Sequence, residues 1–310
     1  MTDLAARLRS VIDRERASRD APLAPYTTFK VGGPADWLVH AQTSAEIKSV
    51  VAAARDANVP VTVLGGGSNV LIADAGIRGV VIRVHGGHVI RVSEDRLRVD
   101  AGLTINGLVR WTINRGFAGI EAWAGTPGTV GGAIHGNAHF TGRMISELIQ
   151  SVEIVSRDGE FREIDVGDME FAYDRSRLQR TGEIAVSADF RVGKGDPAAL
   201  RAVARESLAY RKRTQPLESA SAGCIFQNPD PAVDRVPDGI PWSAGALVDR
   251  AGLKGSSEGQ ARVSLTHGNF IINEGNASAE EIRRLIERCR RAVHDRFSVA
   301  LRDEIVYLGF

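Results

Sequence analysis

The sequence predicts an α+β protein of two domains. Three observations carry this. The first third of the chain reads as strand, amphipathic helix and further strands. Residues 80–103 then hold short alternating runs, VVIRV, HVIRVSED and RLRVD, that read as a β meander. At 193–197, GKGDP, the composition shifts, and the remainder of the chain is helix-rich with short strands. The predicted division is a helix within 1–20, a β-rich domain over 21–195 and a second domain over 196–310.

Residues 3–17 place Leu4, Leu8, Val11 and Ile12 on one helical stripe. Residues 43–57 open with Thr43 and Glu46 at capping-box spacing and read as a helix. PVTVLGGGSNVLIAD and GVVIRV are β-rich, and 104–116 is helical. SVEIVSRDGEFREID reads as a hairpin turning at Asp158-Gly159. A helix is expected over 197–213 and another near 243–251, then the strand HGNFIIN, a helix at 278–296 and a final strand in DEIVYLG.

The chain has 310 residues, 43% hydrophobic and 25% charged, with a net charge of +1. So small a charge disfavours nucleic acid as the main partner, because such proteins carry a basic surplus that tracks phosphates. Two cysteines, Cys224 and Cys289, make neither a disulfide framework nor a four-ligand zinc site. The charged N-terminus lacks a signal-peptide core, and no run approaches the ~18 apolar residues of a membrane span. A cytoplasmic protein is expected, with a monomer as the default.

Two glycine-dense stretches point to a ligand. Gly65, Gly66, Gly67, Ser68 and Asn69 join two strands. Successive backbone amides in such a loop form a nest for an anion such as a pyrophosphate. The spacing matches neither a Walker loop nor the dinucleotide fingerprint. GTPGTVGGAIHGNA gathers Gly125, Thr126, Gly128, Thr129, Gly131, Gly132, Gly136 and Asn137 in the same domain. Two such loops suit two walls around an extended ligand with a pyrophosphate and a flat ring.

In the second domain Cys224 sits in SASAGCIFQNP. Taken alone it is an inert small hydrophobe, a proton donor or a nucleophile, and the residues leave these open. Arg211, Lys212 and Arg213 end a helix, where cations offset the dipole or clamp a diphosphate. Glu304 lies in the terminal strand, where a solvated carboxylate is the default.

TTFKVGGPAD, LGGGSNVLIAD, GTPGTVGGAIHGNA, SAGCIFQNP, HGNFIIN and DEIVYLG, in this order, resemble the UDP-N-acetylenolpyruvoylglucosamine reductases, the MurB family of peptidoglycan synthesis. The resemblance covers nearly the whole chain. It implies an FAD-binding domain of the vanillyl-alcohol-oxidase type in two α/β lobes, with a C-terminal α+β substrate-binding domain. It implies that GGGSN cradles the FAD pyrophosphate, that GTPGTVGG lies against the flavin and that Asn137 is near it. NADPH is implied as reductant and UDP-N-acetylglucosamine enolpyruvate as substrate. Hydride goes from flavin N5 to the vinyl CH2 carbon, and an acid protonates the adjacent carbon.

Many members place a serine donor in GSxFxNP; Cys224 takes that place here. Glu304 falls at the family's catalytic glutamate. Asn228, His267 and Asn269 lie in substrate-contacting motifs, and Arg211 to Arg213 in the region of the uridine diphosphate. The family's Y-R-x-S reads Tyr173-Asp174-Arg175-Ser176 here. An anion cannot meet the enolpyruvyl carboxylate, so Arg175 is expected to supply the guanidinium, with Arg177 as second candidate and Tyr173 beside the substrate. The compact C-terminal part resembles the shorter subtype, which lacks an extra substrate-covering loop. Competing readings are another flavin oxidoreductase on the same cofactor fold and a non-catalytic relative.

Overall fold

The structure is a computed structural model and describes residues 2–310. Its contacts divide the chain into two compact units. The first comprises Met1–Ala21, Ala35–Gly66 and Arg78–Tyr210; the second comprises Pro22–Pro34, Gly67–Ile77 and Arg211–Phe310.

The first unit holds α1 (Thr2–Val11), α2 (Ser44–Asp56), α3 (Ile105–Asn114), α4 (Val130–His135), α5 (Arg177–Thr181) and most of α6 (Pro197–Thr214). The first helix is shorter than its sequence pattern. Leu4, Leu8 and Ile12 are buried, and beyond Ile12 no apolar residue continues the stripe. Ala17–Pro22 becomes a strand instead. The predicted capping box of α2 forms, with the Glu46 amide donating to Thr43 Oγ1 and the Glu46 carboxylate accepting from the Thr43 amide.

Two larger sheets serve this unit. One orders Ala17–Pro22, Pro34–Ala41, Ile77–Val84 and Val61–Leu64, the last two parallel. The other is antiparallel in the order Phe161–Asp165, Ile149–Val155, Ile184–Arg191, Arg96–Asp100 and Val89–Arg91. Its first two strands are the hairpin expected around Asp158-Gly159. The first seven residues of Ile184–Arg191 are all buried. Ile184 and Val186 enter the core under α1 and α2, while Ala185, Ala188 and Phe190 enter the core under α3 and α4. A strand covered on both faces need not alternate. Its one acid, Asp189, is neutralised by Arg98 at 2.7 and 3.1 Å.

The second unit holds α7 (Ala244–Arg250) and α8 (Ala279–Phe297) with the antiparallel strands Ser257–Glu258, Ala261–Val263 and Ile271–Asn273. Val306–Leu308 pairs in parallel with Val70–Ile72. The amphipathic α8 buries Ala279, Ile282, Leu285, Ile286, Cys289 and Val293, spaced as one helical face. Phe29, Val31 and Leu71 sink into that same core. Each buried side chain of this size contributes about 1.5–3 kcal/mol. Asp74 adds a tie, accepting from the first amides of α8, Ala279 at 2.8 Å and Glu280 at 3.1 Å. The compact units are therefore not cut at residue 195. Two early segments join the C-terminal part, and α6 runs with the first unit as far as Tyr210.

Candidate active site

In the first unit the two glycine loops pack against each other. A Cβ on Gly66 would lie 2.5 Å from Gly128 Cα, and one on Gly65 would lie 2.5 Å from Thr129 Oγ1. Only glycine permits that approach. Gly131, inside α4, would meet Ala101 Cβ at 3.0 Å. Thr129 caps α4, its hydroxyl accepting from the Gly132 amide at 3.3 Å. Asn106 fixes the start of the second loop. Its Oδ1 accepts from the Gly125 amide at 2.8 Å, and its Nδ2 donates to the Thr126 carbonyl at 3.1 Å. Sequence reasoning misses Asn106; its one signal is a polar residue in the first turn of an amphipathic helix.

The chain crosses from the first unit to the second between Gly66 and Gly67. Gly67 has φ +61°, and a Cβ there would lie 2.1 Å from the Tyr26 carbonyl oxygen. The amides of Gly65, Gly66, Gly67, Ser68 and Asn69 donate to no acceptor among the described residues. Consecutive undonated amides on a side-chain-free loop are what a pyrophosphate nest requires, so these residues fit a flavin dinucleotide. The Asn69 side chain has another task, donating to the Glu304 carbonyl at 3.0 Å.

Asn137 spends its side chain on backbone partners. It is fully buried. Its Nδ2 donates to the Ala172 carbonyl at 2.8 Å, and its Oδ1 accepts from the Ser146 amide at 3.2 Å. This carboxamide is a buried tie, both of its polar atoms satisfied by protein.

That tie holds Tyr173-Asp174-Arg175-Ser176. Ala172 and Arg175 exchange backbone hydrogen bonds at 3.0 and 3.1 Å, closing a turn over Tyr173 and Asp174. Asp174 has φ +52°, and its Oδ1 lies 3.1 Å from His139 Nδ1. Tyr173 is exposed, with its ring against His139. Arg175 is exposed and makes no ion pair among the described residues. Arg177 is committed to a two-pronged pair with Glu183, at 2.8 and 3.0 Å.

In the second unit the Cys224 segment is clamped from two sides. Asn269 is buried; its Oδ1 accepts from the Phe226 amide at 2.9 Å and its Nδ2 donates to the Phe226 carbonyl at 2.7 Å. The Ile225 amide donates to the Asn269 carbonyl at 2.9 Å. Asn269 thus secures the segment just after the thiol. On the other side Glu304 donates its amide to the Ile225 carbonyl at 2.9 Å, with Phe226 bridged to Asp303. Cys224 and Glu304 therefore stand on adjacent backbone segments. Glu304 lies just before the terminal strand, not within it.

Of the three basic residues ending α6, Arg211 is buried while Lys212 and Arg213 are exposed. Burial lowers the Arg211 pKa to about 10, opposed in part by its interaction with nearby Cys224. It remains a cation at neutral pH. Asn228 Oδ1 accepts from the Ala244 amide at the start of α7, at 3.1 Å. His267 Nδ1 accepts from the Asn269 amide at 3.2 Å. Its pKa is lowered by burial and then by Lys254, favouring a neutral ring with its proton on Nε2. Cys289 is buried in α8, its pKa pushed up to about 12 by burial. Among the described residues no cluster suited to a metal occurs, and no helix is long and apolar enough to cross a membrane.

Comparison with known proteins accords with these parts. Residues 35–165 match the FAD binding domain family. Residues 215–308 match the C-terminal domain of UDP-N-acetylenolpyruvoylglucosamine reductase. The chain is 39% identical over 312 residues to the UDP-N-acetylenolpyruvoylglucosamine reductase of Desulfosudis oleivorans, covering 97% of each. A crystal structure of the Thermus caldophilus reductase (MurB) superposes with TM-score 0.77 at 32% identity, covering 94% of this chain and 98% of that one. An alkyldihydroxyacetonephosphate synthase shares the fold alone, with TM-score 0.50 at 18% identity over 63% of this chain and 40% of that one. The chain belongs to the UDP-N-acetylenolpyruvoylglucosamine reductase (MurB) family.

Proposed function

We propose that this protein reduces UDP-N-acetylglucosamine enolpyruvate to UDP-N-acetylmuramate, using NADPH and bound FAD, in peptidoglycan precursor synthesis. The observation that carries this is full-length membership of the reductase family together with a thiol-bearing segment clamped beside the Glu304 segment. FAD, when bound, would supply the hydride chemistry that links NADPH oxidation to reduction of the enolpyruvyl group. Gly65 to Asn69 would hold its pyrophosphate through backbone amides, and the stretch holding Gly125, Thr126, Gly128, Thr129, Gly131 and Gly132 would line its ring.

The protein's own groups handle charge and the proton. Cys224 gives its proton to the carbon beside the carboxylate. A thiol is a stronger acid than the serine found in many relatives, so the role survives the replacement. Arg175 meets the enolpyruvyl carboxylate; its exposure and lack of an ion pair favour it over Arg177, which Glu183 occupies. Glu304, on the segment beside Cys224, takes part in the proton transfer. Arg211 is the inward cation for the diphosphate, and Tyr173, Asn228 and His267 line the sugar-nucleotide site. Cys224, Glu304 and Arg211 belong to a substrate-binding domain over 196–310, with an FAD-binding domain over 21–195. The protein works in the cytoplasm as a monomer.

Turnover in D2O tests the proton's source. Wild type should place one solvent-derived deuterium on the carbon beside the carboxylate. Cys224→Ala should keep NADPH-driven flavin reduction and lose product formation. An alanine variant that forms product at the wild-type rate would remove Cys224 from the mechanism.

A further inference from the structure

Asp174 raises a question that the reaction does not answer. It stands where an arginine is expected, in a left-handed backbone conformation with φ +52°. Its side chain is only 8% exposed. Its Oδ2 is buried with no hydrogen-bond partner. A buried carboxylate with an unsatisfied oxygen is costly and persists only where the surroundings fix it. Here the fixing group is His139, whose Nδ1 lies 3.1 Å from Oδ1.

The neighbouring contacts form a pattern. Three ties join 135–139 to 172–176: Ser176 Oγ donates to the His135 carbonyl at 2.7 Å, Asn137 Nδ2 donates to the Ala172 carbonyl at 2.8 Å, and His139 meets Asp174. Residues 135–139 come directly after the glycine stretch and α4. The Asp174–His139 contact is the only one of the three that reaches the tip of the turn. With Asp174 pulled inward, the next residue, Arg175, is left exposed.

We propose that Asp174, anchored by His139, is a positioning residue that locks the 172–175 turn and thereby sets where the Arg175 guanidinium stands relative to the cofactor-binding stretch. The displaced acid is then the device that lets the arginine act from one position later. This rests on the reading of Arg175 as the carboxylate-binding group.

The test separates the anchor from backbone preference. Glycine adopts φ > 0 freely, so Asp174→Gly keeps the turn's conformation and removes only the anchor. Asn tolerates the same φ and keeps an acceptor for His139, so Asp174→Asn is the conservative rescue. His139→Phe keeps a ring against Tyr173 and removes the donor. Asp174→Gly and His139→Phe should each raise KM for the enolpyruvyl substrate by ~10–100-fold and slow flavin reoxidation. Flavin reduction by NADPH should stay within about twofold, since that step has no carboxylate to place. Asp174→Asn should recover most of the loss, and the double variant should be no worse than either single one.

A wild-type KM in Asp174→Gly overturns the proposal, as does an equal loss of both half-reactions together with FAD, which marks a general structural role. If wild-type reduced flavin is not reoxidised by the substrate at all, the reductase reading falls and takes this inference with it. Reoxidation in wild type with an indifferent Asp174→Gly sinks the inference alone.

Discussion

Gly66→Ala tests whether the two glycine loops form one cradle. The new Cβ would sit 2.5 Å from Gly128 Cα and 3.1 Å from the Gly128 carbonyl carbon. Ordinary carbon contacts lie at about 3.5–4.0 Å, so one backbone must retreat by about 1 Å. Neither side offers a flexible chain end that can swing aside. Overpacking of this kind costs about 1–3 kcal/mol, which lowers stability directly. The retreat also spreads the amides of Gly65 and Gly66 away from the second loop, so FAD affinity should fall by about tenfold or more. Gly167→Ala is the matched control, because its Cβ would meet nothing within 4 Å and its φ is not left-handed. The assay is the Kd for FAD by flavin fluorescence on stripped protein, with thermal unfolding alongside. Wild-type FAD affinity and unchanged Tm in Gly66→Ala would refute the cradle geometry.

The same contacts yield further predictions. In the folded protein a thiol reagent should label Cys224 and spare Cys289, which is 1% exposed with its pKa pushed to about 12, while denaturant should expose both; equal labelling of the folded protein would contradict this. Arg175→Ala should lose substrate turnover with little change in Tm, whereas Arg177→Ala should lower Tm by stranding the nearly buried Glu183; the reverse result would exchange their roles. Asn269→Ala should cost about 1–3 kcal/mol by leaving the Phe226 amide and carbonyl unsatisfied, measured by urea unfolding, and should impair Cys224-dependent turnover. Arginine partners hold Glu46 and Glu183 below their ordinary value of 4.5, and Asp234 below 3.8. Depressed carboxylates stabilise the fold above the unfolded-state pKa, so this contribution is complete at neutral pH and lost as pH falls below about 4.5. Arg177→Ala should therefore flatten the acid limb of a Tm–pH profile, and an unchanged limb would discount the Glu183 pair.

What the sequence makes legible is local. The α2 capping box, the Asp158-Gly159 hairpin and the stripe of α8 depend on neighbours a few residues away, and they stand where the pattern puts them. The glycine loops are legible because bare backbone has few other uses. Failures come where distant partners decide. VGGAIH forms α4 although two glycines argue against a helix, and Ala101, distant in sequence, is what leaves no room for a Cβ at Gly131. Phe29 and Leu71 join the core of α7 and α8, which no local pattern announces. Asn137 and Asn269, each offering a donor and an acceptor, carry buried ties that no local pattern announces. Each has both satisfied by a backbone segment far away in sequence or across a turn. Arg211, Lys212 and Arg213 are indistinguishable as a triplet. Helical phase separates them, since Arg211 continues the face begun by Leu200 and Ala204.

The assigned reaction is tested most directly by an anaerobic spectral titration of the purified protein. NADPH is added first, and the enolpyruvyl ether of UDP-N-acetylglucosamine second, while the flavin absorbance is recorded. The yellow band should bleach with NADPH and return with the substrate. A band that bleaches and stays bleached would leave the cofactor fold standing and contradict the assigned substrate chemistry.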